Sequence, residues 1–434
     1  MHKETVMNYD VIIVGASFTG AYSAWLLARE GHKVLLLDAQ ARTAIGAHHP
    51  VTMVDTDIFS RTSIPRAEGD ELLAYIDVYY AYSPSAKVKK PVNYTSLQLH
   101  GHLFLQRLLG YAEEAGATFQ QEVVRGPVIE GHVIKGVVTT SGTVFSAPLV
   151  IDASGMAQVV RKHLPEGVFP PEPPLTDDEC GLAWRLVCDT GTPSSEVHLY
   201  FAVEGGYVWR SPYDIGLGMM CRIAPEEARS LVMGHAERYG WDIRNEGAES
   251  VGKLPMRPPL TNMVAPGLIA IGDAAYMLNT VRGGGVSSGL KGARVAAEVA
   301  HQALREKDLS LERLWEVNYR YHREIGAEVA YQNAMRLAVM NLDNDNMEFA
   351  LATDLMGSED IRISLGGKIL DLNAVEKLKK GLKALSRPSL LMHFDSKLSW
   401  SKKIYQHVAQ FPELPQAYPD WRAEWQHIQD KLGQ

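Results

Sequence analysis

Cysteine is scarce in this chain, and a net positive charge and long apolar runs are lacking; each of these narrows what it can be. Three cysteines, Cys180, Cys188 and Cys221, leave at least one unpaired among 434 residues, and their spacing matches no zinc pattern. A disulfide-stapled secreted fold and a metal centre are both disfavoured, and a reducing cytoplasm fits best. Acidic residues outnumber basic ones, for a formal net charge of −8. That argues against nucleic acid as the main partner, because phosphate contacts need clustered Lys and Arg. No stretch of about 18 apolar residues is present, so no membrane span is expected. No signal-peptide pattern opens the chain, and repeats and low-complexity tracts are missing. What is there has the composition of a globular protein, 46% hydrophobic and 22% charged, long enough for two or three domains.

Residues 9–38 form the densest pattern. Val11 to Val14 is a short β-branched run of the kind buried on both faces of a parallel sheet. Gly15 allows a sharp turn, and residues 18–30 then carry Ala, Leu and Trp at helical spacing up to Gly31. Residues 34–37 make a second apolar strand that ends at Asp38. Strand, glycine turn, helix, strand and terminal acid together make the βαβ unit that binds a dinucleotide. Gly20 lets the helix lie close to the strands. The free N–H groups at the helix start, around Ser17, Phe18 and Thr19, can hold a pyrophosphate with help from the helix dipole. Asp38 and Ala39 stand where an adenosine ribose would be bonded. Ser17 replaces the middle glycine of the usual pattern, and its hydroxyl is expected to become a further donor to phosphate.

Two later stretches extend the pattern. After a core strand over 149–152 come Asp152, Ala153, Ser154 and Gly155, then Arg161. Either the small residues let a cofactor pass and Arg161 starts a helix that reaches a phosphate, or this is an ordinary strand-to-helix turn. Residues 267–275 read as a buried strand ending in Gly272-Asp273, and Gly283-Gly284-Gly285 opens a long helix at Val286 running to Arg305. An acid at a strand tip can bond the hydroxyls of a flavin dinucleotide. A glycine triplet before a helix exposes N–H groups towards the flavin's N1 and C2 carbonyl, where reduction places negative charge.

Elsewhere the chain reads more coarsely. Residues 76–82 alternate as a strand, 103–115 form an amphipathic helix, and 128–145 form a three-stranded meander. A proline-rich stretch over 165–174 marks a boundary. Strands over 181–188, 197–201, 207–212 and 215–223 then suggest an antiparallel sheet, followed by a helix over 225–239. Residues 311–340 and 373–385 are helical, and no catalytic constellation stands out after 310. The basic aromatic segment 398–407 is either a lipid contact or a solvated helix face. The fold class is therefore α/β: an FAD-binding, Rossmann-like domain with a parallel sheet and inserted meander over 1–75, 100–165 and 256–308. An antiparallel-sheet substrate domain spans 76–99 and 166–255, and a helical C-terminal domain spans 309–434.

On these three motifs the chain resembles the glutathione-reductase-like FAD superfamily. Within it the geranylgeranyl reductase family is nearest, with flavin monooxygenases and halogenases as cousins. That family carries Tyr-x-Trp-x-Phe-Pro on its substrate sheet; here Tyr207, Trp209 and Pro212 match and Ser211 replaces the aromatic. The resemblance implies FAD, reduced by NAD(P)H or a ferredoxin-like protein, and hydride delivery to a double bond of a small hydrophobic, isoprenoid or lipid-like substrate. Tyr207 and Trp209 either line the flavin end of its tunnel or fill the core. The family's cysteine near the flavin is missing, and the stretch reads Ala47-His48-His49. His48 or His49 then becomes the candidate proton donor, unless the pair is a surface feature. Arg282 replaces a small residue and either stabilises reduced flavin or a substrate anion, or caps its loop. A monooxygenase on the same fold is the alternative. A halogenase is disfavoured, because no lysine lies between Lys33 and Lys87, and a non-catalytic prenyl carrier of the Rab-escort type would not need both FAD motifs.

Overall fold

The computed structural model describes residues 9–165, 173–219 and 223–433. Val11–Val14 sits at the centre of a six-stranded sheet, paired in parallel with Val34–Asp38 on one side and Leu149–Asp152 on the other. Thr118–Gln121 and Leu268–Ala270 continue the parallel run outwards, and Val264–Ala265 closes one edge antiparallel. All four residues of Val11–Val14 are buried, as a strand covered on both faces requires. One cover is the helix Phe18–Arg29, and the long helix Val286–Glu306 packs against it. The expected meander is a three-stranded antiparallel sheet of Val124–Glu130, Val133–Thr139 and Val144–Ser146.

A seven-stranded sheet forms the second layer. Its order is Glu249–Pro255, Cys180–Val187, Asp214–Met219, Gly206–Arg210, Glu196–Val203, Val78–Tyr82 and Lys89–Val92, antiparallel except where Glu196–Val203 meets Val78–Tyr82. Residues 76–82 are not one strand, as their alternation suggests. Leu72–Ile76 belongs to a small sheet with Ser96–Leu99 and Thr52–Asp55, and Val78–Tyr82 belongs to the large one. The chain changes sheets at Asp77, where the N–H groups of Asp77 and Val78 both donate to the Ser195 carbonyl.

The C-terminal region is helical, with Ala327–Met340, Pro388–Ala409 and Tyr418–Gly433 the longest pieces after residue 310. A π-turn, His322–Gly326, interrupts the helical run expected over 311–340. The segment 398–407 lies within Pro388–Ala409 and turns Leu398, Ser401 and Ile404 inwards, so its apolar positions are packing positions. Among the described residues no helix is long and apolar enough to cross a membrane. Cys180 and Cys188 are free thiols; Cys221 lies outside the described residues, as does most of the proline-rich stretch.

Candidate active site

The two glycine turns open on to one cavity of about 480 Å³. Ser17, Phe18 and Thr19 form its wall on one side, Gly155, Gly272 and Asp273 continue it, and Gly283, Gly284, Gly285 and Val286 close it. Gly15 and Gly20 lie behind this wall and create it. Gly15 has φ +101°, and a Cβ there would stand 2.4 Å from the Ala153 carbonyl oxygen; one on Gly20 would stand 1.9 Å from the Gly15 carbonyl oxygen. Only glycines let the helix start press this closely on two strand ends.

Several sequence expectations are redrawn here. The Ser17 hydroxyl donates to the Ala153 carbonyl (3.2 Å) and accepts from the Gly20 N–H (3.3 Å). It caps the helix instead of pointing at a phosphate, which leaves the N–H groups of the first turn to do that. Asp38 sits at the strand end beside exposed Ala39, and its carboxylate accepts 2.8 Å bonds from the N–H groups of Ala16 and Gln40. Arg161 does not begin a phosphate-binding helix. It opens a single 3-10 turn, and its buried guanidinium donates to the Ala274 carbonyl and the Tyr276 hydroxyl. It therefore clamps the end of one motif to the next. Within the triplet, the Gly284 N–H donates to the Asn279 carbonyl at 3.2 Å, leaving those of Gly285 and Val286 at the open helix start.

The wall fits FAD on its own evidence. At Gly155 no protein atom lies within 4 Å of where a Cβ would be, so space for a ligand passes directly over the main chain. Asp273 lines the cavity, and burial pushes its carboxyl up to about 6. A carboxyl with no cation beside it is what a ligand hydroxyl would satisfy.

Opposite stands an ionic cluster that the sequence did not reveal as a unit. The Arg282 guanidinium donates to Tyr94 Oη (2.7 Å) and pairs with Asp55, which Lys291 also approaches at 3.3 Å. Arg282 and Lys291 hold the Asp55 carboxyl well below the usual range, although burial opposes them. The Arg282 charge is thus already compensated. Tyr207 donates to the Arg282 carbonyl at 3.0 Å, and burial pushes its phenol up to about 12. Trp209 lies beside it, with ring centroids 6.3 Å apart, and the Arg185 guanidinium covers its indole. Ser211, the departure from the family aromatic, belongs to a buried network. It accepts from Gln98 Nε2 (2.6 Å) and donates to Asp214, which pairs with Arg185 at 2.6 Å. His48 and His49 both face the cavity, with centroids 4.1 Å apart. Both rings are exposed to the open cavity, and the desolvation its walls impose, then His48 and Arg185, lowers His49 below its ordinary value; desolvation also lowers His48. At neutral pH His49 is therefore a neutral imidazole.

Most of the remaining lining is apolar, with Arg336 and Asp360 set into it. Val197, Leu199 and Phe201 of the large sheet face Val339, Leu355, Met356, Leu391 and Phe394 of the C-terminal helices. Lys377, Lys380 and Asp395 also line the cavity.

Comparison with known proteins agrees with this geometry. Residues 10–163 match the profile of the family described as FAD dependent oxidoreductase. The digeranylgeranylglycerophospholipid reductase of Sulfolobus acidocaldarius is 28% identical, over 97% of this chain and 97% of its own length. A geranylgeranyl bacteriochlorophyll reductase-like protein from Thermoplasma acidophilum shares the fold with a TM-score of 0.74, at 17% identity, over 90% of this chain and all of its own. The myxobacterial chondrochloren halogenase CndH gives a TM-score of 0.55 at 19% identity, over 93% of this chain and 97% of its own. Fold, cradle and relatives define an FAD-dependent oxidoreductase. Within that class the chain is similar to reductases of digeranylgeranyl lipids, and it shares its fold with a geranylgeranyl reductase-like protein and a flavin halogenase.

Proposed function

We propose that this protein reduces carbon–carbon double bonds of an isoprenoid, lipid-like substrate. The observation that carries the reading is the continuity of one cavity, from the glycine turns past Tyr207 and Trp209 to an apolar tunnel between sheet and helices. Bound FAD would supply hydride-transfer chemistry. The chain's own residues do the rest. The first-turn N–H groups of Phe18 and Thr19 would hold its pyrophosphate, and Asp38 and Ala39 would meet its ribose. The open start of the helix at Val286, which lines the cavity, would favour negative charge on a flavin held there. Asp273 holds a hydroxyl of the cofactor, and Gly155 leaves room for it. Tyr207 and Trp209 orient the alkene, while the apolar walls exclude water that would compete for protons.

Tyr207 keeps its proton on Oη, directed at the Arg282 carbonyl. His49 holds a single ring proton, with His48 alongside it towards the loop, and these two imidazoles are the route by which a proton reaches the second carbon. Arg282, neutralised by Asp55, positions the glycine loop and does not bind a substrate anion. Electrons come from NAD(P)H docking transiently or from a ferredoxin-like protein. Supporting the substrate class, the relative from Sulfolobus acidocaldarius is named for reduction of a digeranylgeranyl lipid.

The test is turnover of a polyprenyl lipid by the holoenzyme under anaerobic dithionite, with products read by mass spectrometry. Saturated products gaining two hydrogens per double bond support the proposal. Unchanged lipid, with hydroxylated product appearing only in oxygen, would replace it with a monooxygenase.

A further inference from the structure

The helix Ala374–Lys383 is amphipathic and faces the wrong way for a packing helix. None of its residues is buried. Val375, Leu378 and Leu382 lie on one side and are 60%, 65% and 59% exposed. The face turned to the protein is basic instead: Lys380 donates to the Leu355 carbonyl at 2.7 Å and pairs with Asp360. Leu385 and Met392, at 72% and 70%, continue the exposed apolar surface past the helix end. Five of the thirteen large exposed hydrophobics among the described residues therefore fall within 18 positions, a concentration that ordinary surface scatter does not produce.

Charge says what covers this face. Residues 373–403 carry eight Lys or Arg and two Asp or Glu, in a chain whose net charge is −8. Lys380, Lys383 and Lys402 pair with Asp360, Asp354 and Asp371 outside this stretch, which leaves the balance basic. Lys379 and Lys383 flank the apolar side of the helix, and Arg387 follows it. Apolar residues bordered by lysines on one exposed helix match the acyl boundary and headgroups of an acidic membrane surface. Position agrees: Lys377 and Lys380 of this helix are among the residues that line the cavity. A smaller recess lined by Lys377, Lys402 and Lys403 adjoins it.

We propose that Ala374–Lys383 docks the protein on an anionic lipid surface, with Val375, Leu378, Leu382 and Leu385 entering the acyl boundary. The cavity mouth then opens at the bilayer, so an apolar chain reaches the tunnel without crossing water. Docking does not rest on the reductase reading, and it is measured without turnover.

The experiment is co-sedimentation of the FAD-loaded protein with vesicles of phosphatidylcholine alone or mixed with phosphatidylglycerol. Binding is expected to the acidic vesicles, weakening as salt rises. The double substitution Leu378→Asp with Leu382→Asp should lower partitioning by about tenfold or more, while thermal unfolding and FAD content stay unchanged. Lys379→Glu should lower it less, and only on acidic vesicles. Three results would overturn the proposal. One is absence of the parent protein from acidic vesicles, and another is equal partitioning of the double variant. The third is a concentration-dependent dimer dissolved by the same substitutions, which would assign the face to a second copy of this chain.

Discussion

Along Ser17, Gly155 and Gly285 the cavity is bounded by main chain; along Tyr94, Leu199 and Phe394 it is bounded by side chains. The first wall is made by helix starts and strand ends whose geometry admits few residue types. The second is assembled from residues drawn from the large sheet, the ionic cluster and the C-terminal helices. A main-chain wall recognises what every FAD shares and tolerates almost no substitution. A side-chain wall can be reshaped for a different substrate while the fold stands, which is how one architecture serves reductases and halogenases alike.

The sharpest way to break this contrast is at Gly20. Gly20→Val places side-chain atoms on the Gly15 carbonyl, and an expected loss of about 4 kcal/mol or more should leave little folded, FAD-bearing protein. Flavin content and thermal unfolding read it.

Next in size is the ionic cluster. Arg282→Ala leaves Asp55 with Lys291 as its one cation and the Tyr94 hydroxyl as a neutral donor, and an expected loss of about 3 kcal/mol follows at neutral pH. Because the Asp55 carboxyl is held below its ordinary value, its pairing contributes fully above about pH 4. It is lost as pH falls further, so parent and variant should converge in strong acid. Denaturant unfolding across pH is the measurement.

Asp273 is the converse case. Its pKa is raised to about 6 from an ordinary 3.8. The buried carboxyl is therefore harmless below about pH 4 and increasingly unfavourable as pH rises through 6. In the FAD-free protein, Asp273→Asn should gain on the order of 2 kcal/mol near neutrality and nothing in acid. The same substitution should weaken FAD binding, separating a group kept for a ligand from one kept for the fold.

The smallest expected effect is on the side-chain wall. Leu391→Trp narrows the tunnel and should lower kcat/KM about tenfold for long polyprenyl chains, mostly through KM. Short prenyl substrates and thermal stability should change little.

The same contrast explains what could be read from the amino-acid order. Gly15, Gly20, Gly272 and the 283–285 triplet stand within short windows, where backbone conformation dictates residue type, so both turns and their sheet were legible. Details of hydrogen bonding were not. The Ser17 hydroxyl had a closer acceptor in Ala153, and the Gly284 N–H had one in Asn279. The Asp55–Tyr94–Arg282–Lys291 cluster joins residues up to 236 positions apart, and no local pattern marks them as partners. Residues 76–82 alternate on both sides of Asp77, so the change of sheet is visible only through Ser195.

If flavin and apolar tunnel share one space, rapid mixing of anaerobically reduced holoenzyme with a polyprenyl lipid should return the oxidised flavin absorbance, at a rate that rises with lipid and falls in the Leu391→Trp variant. A reduced flavin that ignores the lipid, and reoxidises only when oxygen is admitted, would contradict it.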